Sequence, residues 1–236
     1  MKMRKHIWRL LGMVTFTVAC LSLIIGVKGY RMYKDALNSM SLEAKVEAIR
    51  SRDDFTTYDE LPSIYVQAVL SVEDHRFYNH PGVDMIAIGR AAVNDVRAGA
   101  FVEGGSTITQ QLAKNLYFSQ EKELTRKVAE VFMAFDLERN YTKDEILELY
   151  VNSIYYGNNY YSVAEASQGY FDKEPSEMTE YECTLLAGIP NAPSVYALTV
   201  HPDLAEQRQA QVVSRMVKCG YYTQDQALET LAAGLL

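Results

Sequence analysis

The feature that most constrains this chain is an uninterrupted apolar run near its start. From Leu10 to Val27 the sequence LLGMVTFTVACLSLIIGV carries no charge over 18 residues. A helix rises about 1.5 Å per residue, so the run reaches roughly 27 Å, close to the hydrocarbon thickness of a bilayer. No small-x-small cleavage site ends it before Lys28. An uncleaved membrane anchor is therefore favoured over a cleaved signal peptide or a lipoprotein cysteine at Cys20.

Charge gives the expected orientation and excludes one class of partner. Four basic residues precede the run and three follow it, namely Lys2, Arg4, Lys5 and Arg9, then Lys28, Arg31 and Lys34. This bias favours a cytoplasmic N-terminus, with the rest of the chain outside the bacterial cell membrane. Beyond residue 35 there are 16 lysines and arginines against 29 aspartates and glutamates, which argues against nucleic acid as a partner.

The remainder of the chain is predicted to be all-α. Four capping boxes each precede a periodic apolar run: Thr57 with Glu60, Thr142 with Glu145, Thr179 with Glu182, and Thr223 with Gln226. Two apolar stripes are Ile64, Ala68 and Val72, and Leu124, Val128, Val131 or Phe132, and Phe135. Cys183 and Cys219 are expected to be buried free thiols, with an extracytoplasmic disulfide left open. The expected organisation is a cytoplasmic basic tail (1–9), a transmembrane anchor (10–27), a juxtamembrane connector (28–50) and one domain (51–236).

Two acidic residues end an apolar helix in the stretch SVEDHRFYNHPGVD, residues 71 to 84. Glu73 and Asp74 are poorly placed there, because the C-terminal end of a helix dipole is already negative. A carboxylate held among apolar neighbours tends to have a raised pKa, which suits a general base. The alternative is a solvated acidic turn.

In the stretch GGSTITQQLAKN, residues 104 to 115, two glycines precede Ser106 and Thr107. Serine and threonine are good N-cap residues, so a helix is predicted to begin after them. Thr107, Gln110, Gln111 and Lys114 then recur at helical spacing, on a face without a carboxylate. Free backbone amides, the positive helix end and Lys114 are typical of a site for phosphate or diphosphate. The alternative is an ordinary turn and cap.

A third stretch, residues 125 to 152, begins TRKVAE. Arg126 and Glu130 are four residues apart on one helix face, with Lys127 beside them. Taken alone, they are read as a surface ion pair, which contributes under about 1 kcal/mol.

In this order, five segments resemble the motifs of the peptidoglycan glycosyltransferases, glycosyltransferase family 51. They are EDHRFYNHPGVD, GGSTITQQLAKN, RKVAE with KDEILELYVN, YYGNNYYSVAEASQGYFDK, and LLAGIPNAPSVY. The resemblance runs from about Glu60 to Thr223. It implies a lysozyme-like, mostly helical fold with a large lobe and a smaller membrane-proximal jaw. Because the sequence ends near residue 236, where bifunctional relatives continue into a transpeptidase domain, a monofunctional enzyme is expected.

The resemblance also implies the chemistry. The substrates would be lipid II and the growing glycan chain, with release of undecaprenyl diphosphate, and other cell-wall synthesis proteins are a further class of partner. Glu73 would be the general base and Glu130 the second catalytic glutamate. Substrate-binding residues would be Asp74, Phe77, His80, Gly105, Ser106, Thr107, Thr109, Gln110, Gln111, Lys114, Asn115, Lys122, Arg126, Lys127 and Asn152. A divalent cation such as Mg²⁺ on the diphosphate is left open, with no metal ligands assigned in the chain.

Two positions depart from the family pattern, and two other functions are weighed. Lys122 stands where relatives often have an arginine, which keeps the charge but loses the bidentate fork. Ser162 replaces a common glycine in the fourth motif. A glycan-cleaving enzyme of the same fold would not need Lys114, Arg126 and the glycine-rich cradle, because its leaving group is a sugar. A non-catalytic membrane-anchored scaffold would have no need of the complete set of charged residues.

Overall fold

The computed structural model describes residues 2–100, 104–118 and 124–235, and within these ranges every regular element is a helix, with no β-strand. The α-helices are α1 (Lys2–Ser39), α2 (Leu42–Arg50), α3 (Ser63–Glu73), α4 (Met85–Ala98), α5 (Ile108–Tyr117), α6 (Leu124–Asn140), α7 (Lys143–Val151), α8 (Val163–Phe171), α9 (Glu180–Gly188), α10 (Pro193–Tyr196), α11 (Pro202–Cys219) and α12 (Gln224–Ala232). Single 3₁₀ turns lie at Tyr58–Glu60, Phe77–Asn79, Pro175–Glu177, Ile189–Asn191 and Ala233–Leu235. The all-α prediction is confirmed.

The apolar run forms the middle of the long helix α1. From Trp8 to Ser39 this helix is long and apolar enough to cross a membrane, with a mean hydropathy of 2.4 in its most apolar window and none of that window buried by the protein. The apolar side chains from Leu10 to Val27 project away from the rest of the chain, and most are at least half exposed. This is the arrangement expected of a helix whose surroundings are lipid.

The second part of α1 packs on α6. A Cβ atom on Gly29 would meet the Cβ of Val128 at 2.6 Å, so the missing side chain allows the two helices to approach closely. The buried Tyr33 lies against Phe132, and its hydroxyl donates to Asp136. Residues 28–50, expected to be a connector, thus contribute side chains to the main core.

Helix α3 lies at the centre of that core. It packs against α9 and α11, while α5 packs against α6 and α7. Tyr65 and Ala68 of α3 are fully buried, whereas Ile64 and Val72 of the predicted stripe are only half-buried. Because α3 is covered on several sides, its last residues are held rigidly at the inner end of a cleft.

The predicted apolar stripe on α6 is not the face that the core buries. Leu124 and Phe135 are exposed, and the buried face consists of Ala129, Glu130, Met133, Ala134 and Leu137. The stripe prediction is wrong at its two ends. Val128 and Phe132, in the middle of the stripe, pack against α1.

Local sequence signals place the helix starts well. All four predicted capping boxes form, at Thr57, Thr142, Thr179 and Thr223. The Thr57 box opens a 3₁₀ turn, and α3 begins only after Pro62. Cys183 is a buried free thiol, as expected, while Cys219 is half-buried and also free.

Candidate active site

Glu73 is the last residue of α3, and it lines an open polar cleft. Its Oε2 atom accepts a 2.7 Å hydrogen bond from the side-chain amide of Gln111, and Gln111 accepts a 3.3 Å bond from the Tyr150 hydroxyl. Burial raises the pKa of Glu73, while the Gln111 hydrogen bond and the positive charge of Arg208 partly offset this effect. A carboxyl with a raised pKa beside a cleft is suited to accepting a proton from a bound molecule.

Asp74 and His80 form a buried hydrogen-bond chain beneath Glu73. His80 Nε2 lies 2.9 Å from Asp74 Oδ2, and His80 Nδ1 accepts from the backbone N–H of Gly82 at 3.2 Å. With Nδ1 as acceptor, the proton is assigned to Nε2, which donates to Asp74. Asp74 Oδ2 also accepts from the backbone N–H of Ile108 at 3.1 Å. The chain ties the end of α3 to the start of α5, so the alternative of a solvated acidic turn is wrong.

Two other residues expected to bind substrate are also deeply buried. Phe77 is 1% exposed, and the Lys143 ammonium lies 4.3 Å from the centre of its ring. Asn152 is 1% exposed and binds both the backbone N–H and the backbone carbonyl of Thr56. In this structure both side chains hold the framework of the site and do not line the cleft.

The start of α5 differs from the expected polar face. Thr107 is the N-cap, in a capping box with Gln110 that the sequence analysis did not identify, and its hydroxyl donates to the Gly82 carbonyl at 2.6 Å. Thr109 donates to Glu138 at 2.5 Å. Thr107, Thr109 and Gln110 are each at most 2% exposed. Of the side chains expected on the polar face of α5, Gln111 and Lys114 are the ones that line the polar cleft.

Glu130 is 1% exposed and accepts from two cations of its own helix. Arg126 donates to one carboxylate oxygen, and Lys127 donates to the other at 2.9 Å. The reading of a surface ion pair is therefore wrong, because the carboxylate is buried. Desolvation and the nearby Arg126 lower the pKa of Lys127 to about 8, and the same two causes lower the pKa of Lys114. The cations outnumber the carboxylate, which favours an anionic ligand.

The remaining predicted residues flank this cluster. Ser106 accepts a 2.7 Å hydrogen bond from Lys127 Nζ. A Cβ atom on Gly105 would lie 3.3 Å from the Cα of Ile88, so glycine allows the loop to pass close to α4. Asn115 is half-buried on α5, one residue beyond Lys114. Lys122 lies outside the described residues.

Two cavities meet at Ser106. The polar cleft has a volume of about 400 Å³, and Glu73, Gln111 and Lys114 are among its lining residues. A mostly apolar groove of about 740 Å³ runs between α4 and α6, with Ile88, Val96 and Val131 in its walls and Lys127 and Gln110 among its polar residues. Ser106 lines both cavities. The combination suits a ligand that has an anionic group attached to an apolar chain.

One group of side chains in the described ranges has the composition of a metal site. Ligand atoms of Asp74, His80 and Asp84 lie within 4.8 Å of one another. Asp84, however, pairs with Arg76 and caps α4 through the backbone N–H groups of residues 86 and 87. Asp74 and His80 already bind each other. The set therefore fits a structural hydrogen-bond network rather than a cation site.

Sequence reasoning missed four cationic or titratable residues of the polar cleft, which are His75, Arg90, Arg208 and Arg215. Arg208 and Arg215 are seven residues apart, so both lie on one face of α11. That spacing was a usable signal. It was overlooked because α11 lies outside the five motif segments, and no local feature of the sequence shows that α11 packs against α3.

The sequence is similar to part of several penicillin-binding proteins. The chain is 45% identical over 181 residues to penicillin-binding protein 1A of Neisseria flavescens, covering 75% of this chain and 23% of that protein. It is 44% identical over 170 residues to penicillin-binding protein 1F of Bacillus subtilis, covering 72% and 24%. Penicillin-binding protein 1A of Aquifex aeolicus is 44% identical over 177 residues, covering 75% and 24%. The chain thus spans about a quarter of the length of these relatives.

The match to a solved structure is weaker. The match to the crystal structure of penicillin-binding protein 1A from Haemophilus influenzae covers 52% of the present chain and 15% of the crystallised chain. The sequence identity is 29% and the TM-score is 0.37, so the superposition is too loose to support the site. The family model described as "Transglycosylase" matches residues 41–217, which is most of the chain and includes all the cleft residues described above. The chain belongs to the transglycosylase family.

Proposed function

We propose that this protein is a membrane-anchored peptidoglycan glycosyltransferase that polymerises lipid II and releases undecaprenyl diphosphate. The observation that carries the proposal is the junction at Ser106 between a cationic cleft and an apolar groove. Lipid II has the matching chemistry, because its diphosphate joins a sugar to a long apolar chain. Membership of the transglycosylase family supports the same reaction class.

In the proposed reaction, Glu73 accepts the proton of the acceptor's 4-hydroxyl as that oxygen attacks the anomeric carbon of the donor sugar. The bond between this carbon and the diphosphate oxygen breaks, and the electron pair leaves with undecaprenyl diphosphate. Lys114, Arg126 and Lys127 stabilise the charge that develops on the leaving group. The proton remains on Glu73 until solvent removes it.

Glu130 has a different role in this proposal. Its carboxylate is buried and already accepts from Arg126 and Lys127, so it orients the two cations and does not abstract a proton. Because both oxygens already bind cations of the same helix, the proposal assigns Glu130 to Arg126 and Lys127 and not to Mg²⁺. If a divalent cation participates, the diphosphate oxygens are the ligands that hold it.

The glycan-cleaving alternative accounts poorly for the charge of this cleft. Hydrolysis of a glycosidic bond has a sugar leaving group and gains nothing from a cluster of cations in which burial, followed by the charge of Arg126, lowers the lysine pKa values. The proposed location is the outer face of the cell membrane, with α1 as the anchor and a cytoplasmic N-terminus. Other cell-wall synthesis proteins are proposed as further partners.

The direct test is polymer formation by the full chain in detergent, supplied with purified lipid II and followed on a gel. We expect a ladder of glycan strands from the wild-type protein and none from Glu73→Gln. The matched control is Glu47→Gln, the same chemical change at an exposed position of α2. Equal polymer from the wild type and Glu73→Gln contradicts the proposed mechanism, and absence of polymer from the wild type contradicts the proposed function.

A further inference from the structure

Arg208, on α11, occupies an unusual position for a cation. Its Nη1 atom donates to Gln211 at 2.9 Å, but its buried Nε has no hydrogen-bond partner among the described residues. Arg208 also makes no ion pair with a carboxylate in that part of the chain. A buried donor without a partner is uncommon in folded proteins and calls for an explanation.

The fold makes space for this arginine. A Cβ atom on Gly188, the last residue of α9, would lie 3.0 Å from the Cγ of Arg208 and 3.4 Å from a methyl group of Val212. Gly188 has ordinary helical backbone angles, with φ of −80° and ψ of −27°, so the turn itself does not require glycine. The absence of a side chain at 188 instead leaves room for the Arg208 stem.

The guanidinium faces the same polar cleft as Glu73. Several other charged or titratable groups line this cleft: Asp74 and the imidazole of His75 follow Glu73 on the chain, and the cations are Arg90 from α4, Lys114 from α5 and Arg215 from α11. The cleft residues after α9 are the uncharged Pro190 and Asn191, and α7 contributes the neutral Tyr150 through Gln111. Among these cations, Arg208 has the largest effect on the pKa of Glu73, larger than that of Lys114.

We propose that Arg208 is a positioning residue for the reaction, held by α11 so that its uncompensated charge keeps the carboxyl of Glu73 ionised and ready to accept a proton. The inference rests on the proposed function, because it assigns Glu73 the role of general base. Burial alone favours the protonated carboxylic acid, which cannot act as a base. A full positive charge that is not neutralised by a nearby carboxylate counteracts this effect without protonating Glu73.

The first test is the pH dependence of polymer formation by the full chain. A base works only when ionised, so the rate rises with pH through the pKa of Glu73. Arg208→Gln is expected to move this acid limb upward by about one pH unit, with a roughly tenfold loss of rate below the limb and little loss on the plateau. Arg208→Lys retains the charge, so its acid limb should lie close to the wild-type position. Gly188→Ala, which displaces the stem but keeps the charge, should give an intermediate shift.

Arg215→Gln is the matched control, because it removes one arginine charge from the same cleft and the same helix. We expect a smaller shift of the acid limb than for Arg208→Gln. If Arg208 instead bound substrate directly, KM for lipid II would rise at all pH values and the limb would stay in place. That result, in a variant with wild-type melting temperature, would overturn the inference, as would equal shifts for the two arginine variants.

A second measurement separates this inference from the proposed function. The carboxyl of Glu73 can be titrated by carbon-13 NMR in the substrate-free protein, with the signal assigned by its loss in Glu73→Gln. The pKa of Glu73 should rise in Arg208→Gln and return towards wild type in Arg208→Lys. An unchanged pKa in Arg208→Gln refutes the role of Arg208 even in a polymerising enzyme. A raised pKa supports the effect of the Arg208 charge on Glu73 even if wild-type protein makes no polymer, in which case only the proposed function fails.

Discussion

Replacing the proposed base should stabilise the protein while it abolishes the reaction. Glu73→Gln retains the size of the side chain and an oxygen that can accept from Gln111 Nε2, which lies 2.7 Å from the Glu73 carboxylate in the wild type. It removes a charge whose ionisation the protein opposes, since the pKa of Glu73 is raised in the folded state. Loss of a general base costs typically 10²- to 10⁴-fold in rate.

The stability gain has a definite pH dependence. Between the unfolded pKa of Glu73 and its higher folded pKa, the folded state binds more protons, so wild-type stability falls as pH rises through this window. Each unit by which the folded pKa exceeds the unfolded one corresponds to about 1.4 kcal/mol above the window. For a chain of this size that is roughly 2–4 °C in melting temperature per kcal/mol. The pKa of Glu73 is raised even though the Gln111 hydrogen bond acts to lower it, so Glu73→Gln is expected to be stabilising.

The assay is thermal unfolding of the detergent-solubilised full chain from pH 4 to pH 9. The melting temperature of Glu73→Gln should exceed that of the wild type at pH 8, and the difference should shrink towards a constant as pH falls to 4, where Glu73 is largely protonated in both states. Glu47→Gln, at an exposed position, should follow the wild type throughout. A Glu73→Gln protein that melts below the wild type at pH 8, or by a margin independent of pH, refutes the reasoning.

Three further outcomes are expected. Lys114→Ala should weaken lipid II binding and slow turnover, because a charge-assisted contact contributes about 1.5–3 kcal/mol; unchanged affinity, measured by calorimetry, would exclude Lys114 from the site. Glu130→Gln should lower the melting temperature at neutral pH, since it leaves Arg126 and Lys127 less compensated, and turnover should fall with it; a stable, active variant would contradict the orienting role. The membrane-extracted protein should retain residues 10–27 on N-terminal sequencing, and a start near residue 30 in the soluble fraction would rule out the anchor.

Those parts of the fold that depend on neighbours in sequence were predictable. Each capping box needs only a threonine and an acid or amide three residues later, and all four predicted boxes form. The start of α4 after Asp84 has the same local character, because the Asp84 carboxylate accepts from the backbone of residues 86 and 87. Such signals act over one helical turn, and no tertiary contact is required to recognise them.

The buried face of α6 was not predictable from periodicity. Leu124 and Phe135 are apolar but exposed, whereas the carboxylate of Glu130 is buried. The reason lies in distant segments. Helix α1 covers the middle of α6 through Gly29 and Tyr33, and the loop before α5 brings Ser106 to Lys127. A hydrophobicity pattern ranks side chains by their own polarity and contains no information about these contacts.

The site residues also divide into those that a sequence motif predicts and those that depend on contacts between distant segments. The motif resemblance predicted a set of substrate-binding residues, and the structure shows which of them line the cleft and which are buried around it. Asp74, which also lines the cleft, and His80 hold the end of α3 against the start of α5, and the Thr107 hydroxyl donates to the Gly82 carbonyl. All three are buried, so their part in substrate binding remains a prediction. Arg208 shows the opposite case, since its place in the cleft comes from the packing of α11 on α3.

The site has to reconcile two opposed electrostatic requirements. Cations that hold an anionic leaving group also lower the pKa of any nearby carboxylate, which weakens it as a base. The described structure separates the two functions through α5. Gln111 gives Glu73 a hydrogen bond from a neutral amide, and Lys114, one helical turn further on, makes no hydrogen bond to either glutamate. Arg126 and Lys127 meanwhile bind Glu130. The neutral amide of Gln111 therefore orients Glu73 while leaving the carboxylate enough proton affinity to act as a base. A lysine at position 111 would lower that proton affinity.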